Sequence, residues 1–250
     1  MIILPSVYLS PSTQDYNEYY DNSGSEEYYM NRITDYIEPY LMASGIAYTR
    51  NMPNMTVNEV VKQSNTGNYD LHVALHSNAA GAENAGKQQG SDVYYYLTSK
   101  KGKAAAEIFV KNLKEIYLYP DKVRALPNTT FAELKRTNAP SVLLELAYHD
   151  NPEDAEWIKE NEELIARTVA LSICEYLGVP FVNPVPDRQG TVNTPSSRLN
   201  IRDMASFSGE IIGKIPNGAV VTITGDEGDW YGVIYDGITG YAYKKYISRN

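Results

Sequence analysis

Apolar and polar positions along the chain alternate in two different rhythms, and the change of rhythm divides it. Up to about residue 180, short apolar runs alternate with stretches of helical spacing. Ile2 to Leu9 reads as a first strand entering a polar loop. Glu26 to Ser44 reads as a helix, with Met30, Ile33, Ile37 and Leu41 on one face, Gly45 as its stop and Pro39 as an internal kink. Ile46 to Arg50, Leu71 to His76, Val93 to Leu97 and Ser141 to Ala147 read as further strands. Thr56 and Glu59 form a capping-box signature for a helix to about Ser64. Lys101 to Tyr117 and Pro152 to Leu177 read as helices, and the Gly- and Ala-rich Asn78 to Gly90 segment as a loop. This alternation predicts an α/β domain: a mainly parallel twisted sheet with helices on both faces.

Beyond Phe181 the rhythm changes. Residues 181–190 contain three spaced β-type breakers, Pro184, Pro186 and Gly190, and read as an extended linker. From 191 to 250, short runs such as Leu199–Arg202, Val220–Gly225 and Trp230–Tyr235 are punctuated by Gly, Asn and Asp, the spacing of a small all-β barrel. The expected domains are therefore 1–180 and 191–250. Charge follows the same division. The chain carries −9 overall, while Arg188 onward holds seven basic and six acidic side chains, leaving −10 on the first part.

That acidic balance excludes nucleic acid as a partner, because phosphate binding needs basic patches. No apolar run reaches the length of a membrane span, so no membrane partner is expected. The opening residues lack a basic n-region and a full apolar core, so they do not read as a secretory leader. One cysteine, Cys174, permits no internal disulfide and reads as a small core residue. Tyrosine is overused, 22 copies against 4 Phe and 2 Trp, which suits broad polar surfaces facing sugars or peptides.

In a parallel α/β sheet, functional groups gather at the carboxyl ends of the strands. That rule selects His76 after the Leu71 strand, Glu145 near the end of Ser141–Ala147, and Glu26 and Glu27 on the first helical turn. Glu145 has the weakest bland explanation, because burying an unpaired carboxylate among Val, Leu and Ala is costly. A strand histidine is often a satisfied core residue, and an acid on a first helical turn simply complements the helix dipole. Histidine with carboxylates is nevertheless a zinc set, and a carboxylate held off the metal can activate water.

The segments Leu75-His76-Ser77-Asn78-Ala79, Ala139 to Leu146 and Asn151-Pro152-Glu153 resemble the motifs of the zinc-dependent N-acetylmuramoyl-L-alanine amidases. The Glu26-Glu27 helix and the following Gly45 to Arg50 fit the same pattern, and the resemblance spans about residues 5–180. It implies a zinc ion, Glu26 and His76 as ligands (Glu27 being one residue out of phase) and Glu145 as the general base. The family's first ligand is a histidine in the loop after strand one, where this chain offers Ser10 to Asn17 and no imidazole. Gln14, through its amide oxygen, is the first substitute and His149 the second. His72 is set aside because it stands roughly 13 Å from His76 along one strand.

The tail resembles the bacterial SH3-like module in Leu199–Arg202, Gly213–Gly218, Gly228–Val233 and Gly240–Tyr243. Such modules bind cell-wall peptides; Trp230 reads as barrel core. Together the resemblances imply a peptidoglycan hydrolase, secreted or acting in the cell wall; a monomer is expected, and a holin-released phage lysin and a host autolysin both fit. They leave two alternatives: a non-catalytic wall-binding protein with a degenerate amidase fold, and a zinc peptidase on stem peptides.

Overall fold

In the computed structural model, which describes residues 4–195 and 197–249, the chain divides into two compact units. One comprises residues 6–37 and 48–176; the other gathers 4–5 and 38–47 with 177–249. Ile2 and Ile3 of the expected first strand lie outside the described residues.

The first unit is built on a six-stranded sheet. Its elements run β1 (Ser6–Pro11), α1 (Glu26–Ala43), β2 (Ala47–Arg50), α2 (Val57–Ser64), β3 (Leu71–Asn78), β4 (Ser91–Tyr96), α3 (Lys100–Leu113), β5 (Val123–Asn128), α4 (Ala132–Lys135), β6 (Ser141–Tyr148), α5 (Pro152–Glu160) and α6 (Glu162–Leu177). The strand order is β2-β1-β3-β6-β4-β5. β1, β3 and β6 are parallel neighbours, whereas β4 runs antiparallel to β6, which makes the sheet mixed. β3 and β6 are central and mostly buried, as strands covered on both faces are, and the polar residues His72, His76 and Glu145 therefore stand out in them.

Local chemistry explains most boundaries. Thr56 caps α2 with both halves of the capping box formed. Asn151 caps α5 by accepting from Glu153 and Asp154, with Pro152 in the first turn where no amide is missed. α1 continues through Pro39, which is exposed, so the lost amide bond faces water. The single closing helix expected over Pro152–Leu177 is two helices. Asn161 leaves helical geometry at φ −123°, ψ 21°, and its side chain donates to the Trp157 carbonyl at 2.8 Å. β5 and α4 had no counterpart in the hydrophobic pattern; both are short and only partly buried.

The second unit contains a seven-stranded antiparallel sheet: β7 (Pro184–Val192), β8 (Leu199–Arg202), β9 (Ile211–Ile215), β10 (Val220–Glu227), β11 (Trp230–Tyr235), β12 (Ile238–Tyr243) and β13 (Ile247–Arg249), ordered β13-β7-β10-β11-β12-β8-β9. The linker expected over 181–190 is thus mostly a strand. β7 pairs with β10 from Pro184↔Gly225 to Thr191↔Val220, while β13 covers only Gly190 to Val192. Pro184 therefore sits where one side of the strand is open, the place a proline is tolerated in a sheet. Val192, Ile201, Ile215, Ile223, Val233 and Ile247 belong to one apolar core. Trp230, 7% exposed, packs in a second cluster with Ala43, Val182 and Tyr241, as expected of a core tryptophan.

Candidate active site

Register brings the first two candidates together. On the parallel pair β3 and β6, His76 stands directly opposite Glu145. β1 ends beside them, with Pro11 opposite Leu75, and its outgoing loop folds back onto the start of α1. Backbone bonds fix that return: Glu26 donates to the Asn17 carbonyl at 2.8 Å and Glu27 to the Gln14 carbonyl at 3.3 Å. A single bridge, Glu18↔Ser25, closes the loop. The first turn of α1 and the loop after β1 are thereby held over the carboxyl end of β3.

Three side chains meet there. Glu26, 1% exposed, places Oε1 2.8 Å from His76 Nδ1. Gln14 Nε2 lies 3.4 Å from the same Glu26 oxygen and 3.3 Å from His76 Nδ1. The amide oxygen of Gln14 accepts instead from Tyr16 Oη at 3.0 Å and Asn17 Nδ2 at 3.2 Å. Asn17 also donates to the second Glu26 oxygen at 2.8 Å. The structure brings Gln14, and not His149, to His76. His149 Nδ1 lies 2.9 Å from Ser77 Oγ and 3.0 Å from the Ser77 carbonyl, and its ring stacks on Tyr19.

Opposite this group stands a carboxylate that the sequence pattern did not single out. Glu133, on the short α4, accepts from Ser10 Oγ at 2.6 Å and lies 2.8 Å from His72 Nε2 through the same oxygen. Its other oxygen is 3.6 Å from His76 Nε2, an ion-pair distance but not a hydrogen bond. His72 Nδ1 lies 2.9 Å from Ser64 Oγ, and its ring stacks on Tyr8 with centroids 5.0 Å apart. His72 and His76, four residues apart, share one face of β3. The signal was present in that spacing: a second polar residue on the buried face of an apolar strand needs a partner.

Two buried polar atoms in this cluster have no hydrogen-bond partner among the described residues, His76 Nε2 and Glu145 Oε2. Native structures rarely leave such atoms unpaired, and the exceptions mark reactive sites or ligand positions. The charges sort the acids. Burial pushes the Glu145 carboxyl up to about 7; His76 opposes this, while Glu26 and Asp92 reinforce it. Burial would also raise Glu133, but His72 and His76 hold it well below the usual carboxylate range. Burial works against the His76 imidazolium as well, yet Glu133, Glu26 and Glu145 together keep its pKa well above the ordinary value. Glu26 ends below its ordinary value because His76, Asn17 and Ser12 outweigh its burial. Asp92, opposite Glu145 on the antiparallel β4, is held by Arg124 through two bonds of 2.8 and 2.9 Å.

The cluster opens into a groove of about 730 Å³ lined by the loop after β1, by Pro53 to Val57, and by His76 and Glu133. A smaller cavity of about 200 Å³ connects Gln14, His76, Glu133 and Glu145. The Asn78–Gly90 loop does not line the groove. Asp150 accepts from the amides of Ala80 and Gly86, and Asn151 donates to the Gly86 carbonyl, tying that loop down beside α5.

Comparison with known proteins identifies the family of each part of the chain. The N-acetylmuramoyl-L-alanine amidase family matches residues 12–175, and the bacterial SH3 domain matches residues 197–248. The probable cell wall amidase LytH of Staphylococcus saprophyticus is 34% identical over 112 residues, covering 45% of this chain and 35% of that protein. The chain thus spans only about a third of that relative's length. The catalytic domain of CwlV, an N-acetylmuramoyl-L-alanine amidase from Bacillus (Paenibacillus) polymyxa var. colistinus, superposes with a TM-score of 0.61 at 18% identity, covering 70% of this chain and 99% of that one. The CwlD amidase of Clostridioides difficile gives a TM-score of 0.58 at 20% identity, with 70% and 98% covered. At such identities the superpositions establish the fold, and the sequence match over residues 12–175 establishes membership: the chain belongs to the N-acetylmuramoyl-L-alanine amidase family.

Proposed function

We propose that this chain hydrolyses the amide bond between the lactyl group of N-acetylmuramic acid and L-alanine in peptidoglycan, with Glu145 as the general base. The observation that carries this reading is the unpartnered, buried Oε2 of Glu145 beside His76 at the mouth of the sheet. An acid pushed up to about 7 by burial can both take and return a proton near neutral pH.

The reading includes a zinc ion held by Glu26, His76 and Gln14. Among the described residues no three His, Cys, Asp or Glu side chains form a metal-holding group, so this reading requires the Gln14 amide as third ligand. The triangle of Glu26 Oε1, His76 Nδ1 and Gln14 Nε2, whose place the amide oxygen would take on turning, has edges of 2.8, 3.3 and 3.4 Å. Zinc bonds of about 2.0–2.1 Å in a tetrahedron separate ligand atoms by about 3.3–3.4 Å. Two edges match; the third needs the Glu26–His76 hydrogen bond to open, and the Gln14 amide must turn its oxygen inward. That is a fit with two rearrangements, weaker than a site with two imidazoles. When bound, zinc supplies Lewis-acid polarisation of the carbonyl and a water acidic enough to ionise near neutral pH.

The chain's own residues do the rest. Glu145 takes the proton of the attacking water at Oε2 and delivers it to the departing L-alanine nitrogen. Glu26, Gln14 and His76 hold the electrophilic side of the site, and Asn17 keeps the Glu26 carboxylate aimed at it. The groove along Ser12 to Tyr16 and Pro53 to Val57 receives the glycan or its peptide. The antiparallel unit anchors the protein to the wall, consistent with its SH3 match, and places the activity there.

Digesting purified sacculi with the wild-type protein and with Glu145→Gln tests the reading. The expected products are stem peptides with free L-alanine amino termini, absent with the variant. Fragments in which muramic acid is still substituted would assign the chain to stem-peptide cleavage instead. One observation favours a second reading, a non-catalytic wall-binding protein: Gln14 turns its nitrogen, not its oxygen, toward Glu26 and His76. Sacculus binding without product release at any zinc concentration would establish it.

A further inference from the structure

The function proposed above uses Gln14, Glu26, His76 and Glu145, and leaves a buried polar chain unexplained. Ser64 Oγ lies against His72, His72 against Glu133, and Ser10 Oγ donates to the same Glu133 oxygen. All four side chains are buried. Such a network inside an α/β sheet is costly to assemble, because each member must be desolvated and paired. It ends at the second oxygen of Glu133, 3.6 Å from a ring nitrogen of His76 that has no hydrogen-bond partner among the described residues.

We infer that Glu133, locked by Ser10 and His72, is the positioning carboxylate of His76: it keeps the proton on Nε2 and so leaves Nδ1 free to face a metal ion beside Glu26 and Gln14. The physical reason lies in the two ring nitrogens. A neutral imidazole that offers one nitrogen to a cation carries its proton on the other, and that proton needs an acceptor. On the Nε2 side Glu133 Oε1 is the carboxylate oxygen in ion-pair range, and its twin oxygen is already fixed by two partners. Glu133 cannot turn away without abandoning Ser10 and His72. The gap is 3.6 Å while Nδ1 is engaged with Glu26 at 2.8 Å, so the ring must shift toward α4 when that contact opens. His72 therefore acts at one further remove, by holding Glu133, although it never reaches the site itself.

This inference rests on the metal reading above, so the test separates the two. Zinc affinity of the full chain is measured by competition against a chromophoric chelator, and melting temperature is recorded on the zinc-free proteins. Glu133→Gln keeps the shape and removes the charge. The pair Glu133→Leu/His72→Phe removes the whole network while keeping apolar volume and a ring against Tyr8, so it guards against a single variant that fails to fold. The expected result is zinc binding about 10–100-fold weaker in both variants. Their zinc-free melting curves stay cooperative. Variants that bind zinc within about twofold of wild type overturn the inference and leave the metal reading standing. A wild-type protein that retains no zinc overturns both.

Discussion

The two units bury very different things. In the antiparallel unit, the buried polar side chains from residue 177 onward, among the described residues, are Thr194 and Thr224; everything else inside is apolar. Its charges stay in water, as where Lys244 and Arg249 meet Asp226 around the ring of Tyr231. The α/β unit buries Glu26, His72, Asp92, Glu133, Asp154 and Glu162. Some of these are structural. Asp154 accepts from Tyr117 Oη and from the amides of Tyr148 and Gly90, and so pins three elements. The cluster around His76 is not satisfied in that way, since it keeps two orphan atoms. Stability alone would have replaced it with apolar side chains. The contrast teaches that the antiparallel unit is shaped by packing and the sheet mouth by chemistry.

The largest expected effect breaks that contrast at Glu145. Glu145→Gln should lower the rate on sacculi by about 10²–10⁴-fold. The same change should stabilise the metal-free protein at alkaline pH. Burial raises the Glu145 pKa to about 7, so the stability of its protonated form is fully present below the ordinary carboxylate range and is lost as pH rises through about 7. At pH 8 the amide avoids that loss, a gain of up to roughly 3 kcal/mol; at pH 4 the two proteins should melt together. In the wild type kcat/KM should correspondingly rise with pH as Glu145 ionises, and a profile flat from pH 5 to 8 would count against its role as base. Next comes the apolar core. Ile223→Ala should cost about 2–5 kcal/mol of the antiparallel unit's stability and weaken wall pull-down, while hydrolysis of a soluble muramoyl peptide is unchanged. Loss of both activities together would show that the units do not divide the labour. Gln14→His, which supplies the missing imidazole, should tighten zinc binding by roughly tenfold or more, read by chelator competition. The smallest effect concerns the groove wall: Thr56→Ala removes the capping box of α2 and should cost about 1 kcal/mol by chemical denaturation, with little change in rate.

How much of this was legible in the sequence depends on the range of the interaction. Glu145 could be found because an acid interrupts an apolar strand, and Glu26 and His76 because each sits at the end of an element whose periodicity is clear. Their convergence follows from parallel pairing, which aligns His76 with Glu145 once β3 and β6 are neighbours. Glu133 carried no such mark. It lies on a four-residue helix between two half-buried segments, and its partners Ser10, His72 and His76 are 57 to 123 positions away. The strand β7 was hidden for a related reason: its prolines read as a spacer, and only pairing with β10 reveals that one side of the strand is open. The break at Asn161 is a backbone event inside a run whose apolar spacing hardly changes.

The central claim is that a single imidazole, that of His76, shares a metal with oxygen donors beside Glu145. X-ray absorption at the zinc edge of the zinc-loaded full chain reads that ligand shell directly. One histidine scattering pattern is expected, with the remaining neighbours oxygen, and it should disappear in His76→Ala. Two imidazoles in the shell, or a wild-type protein that emerges from dialysis without zinc, would contradict it.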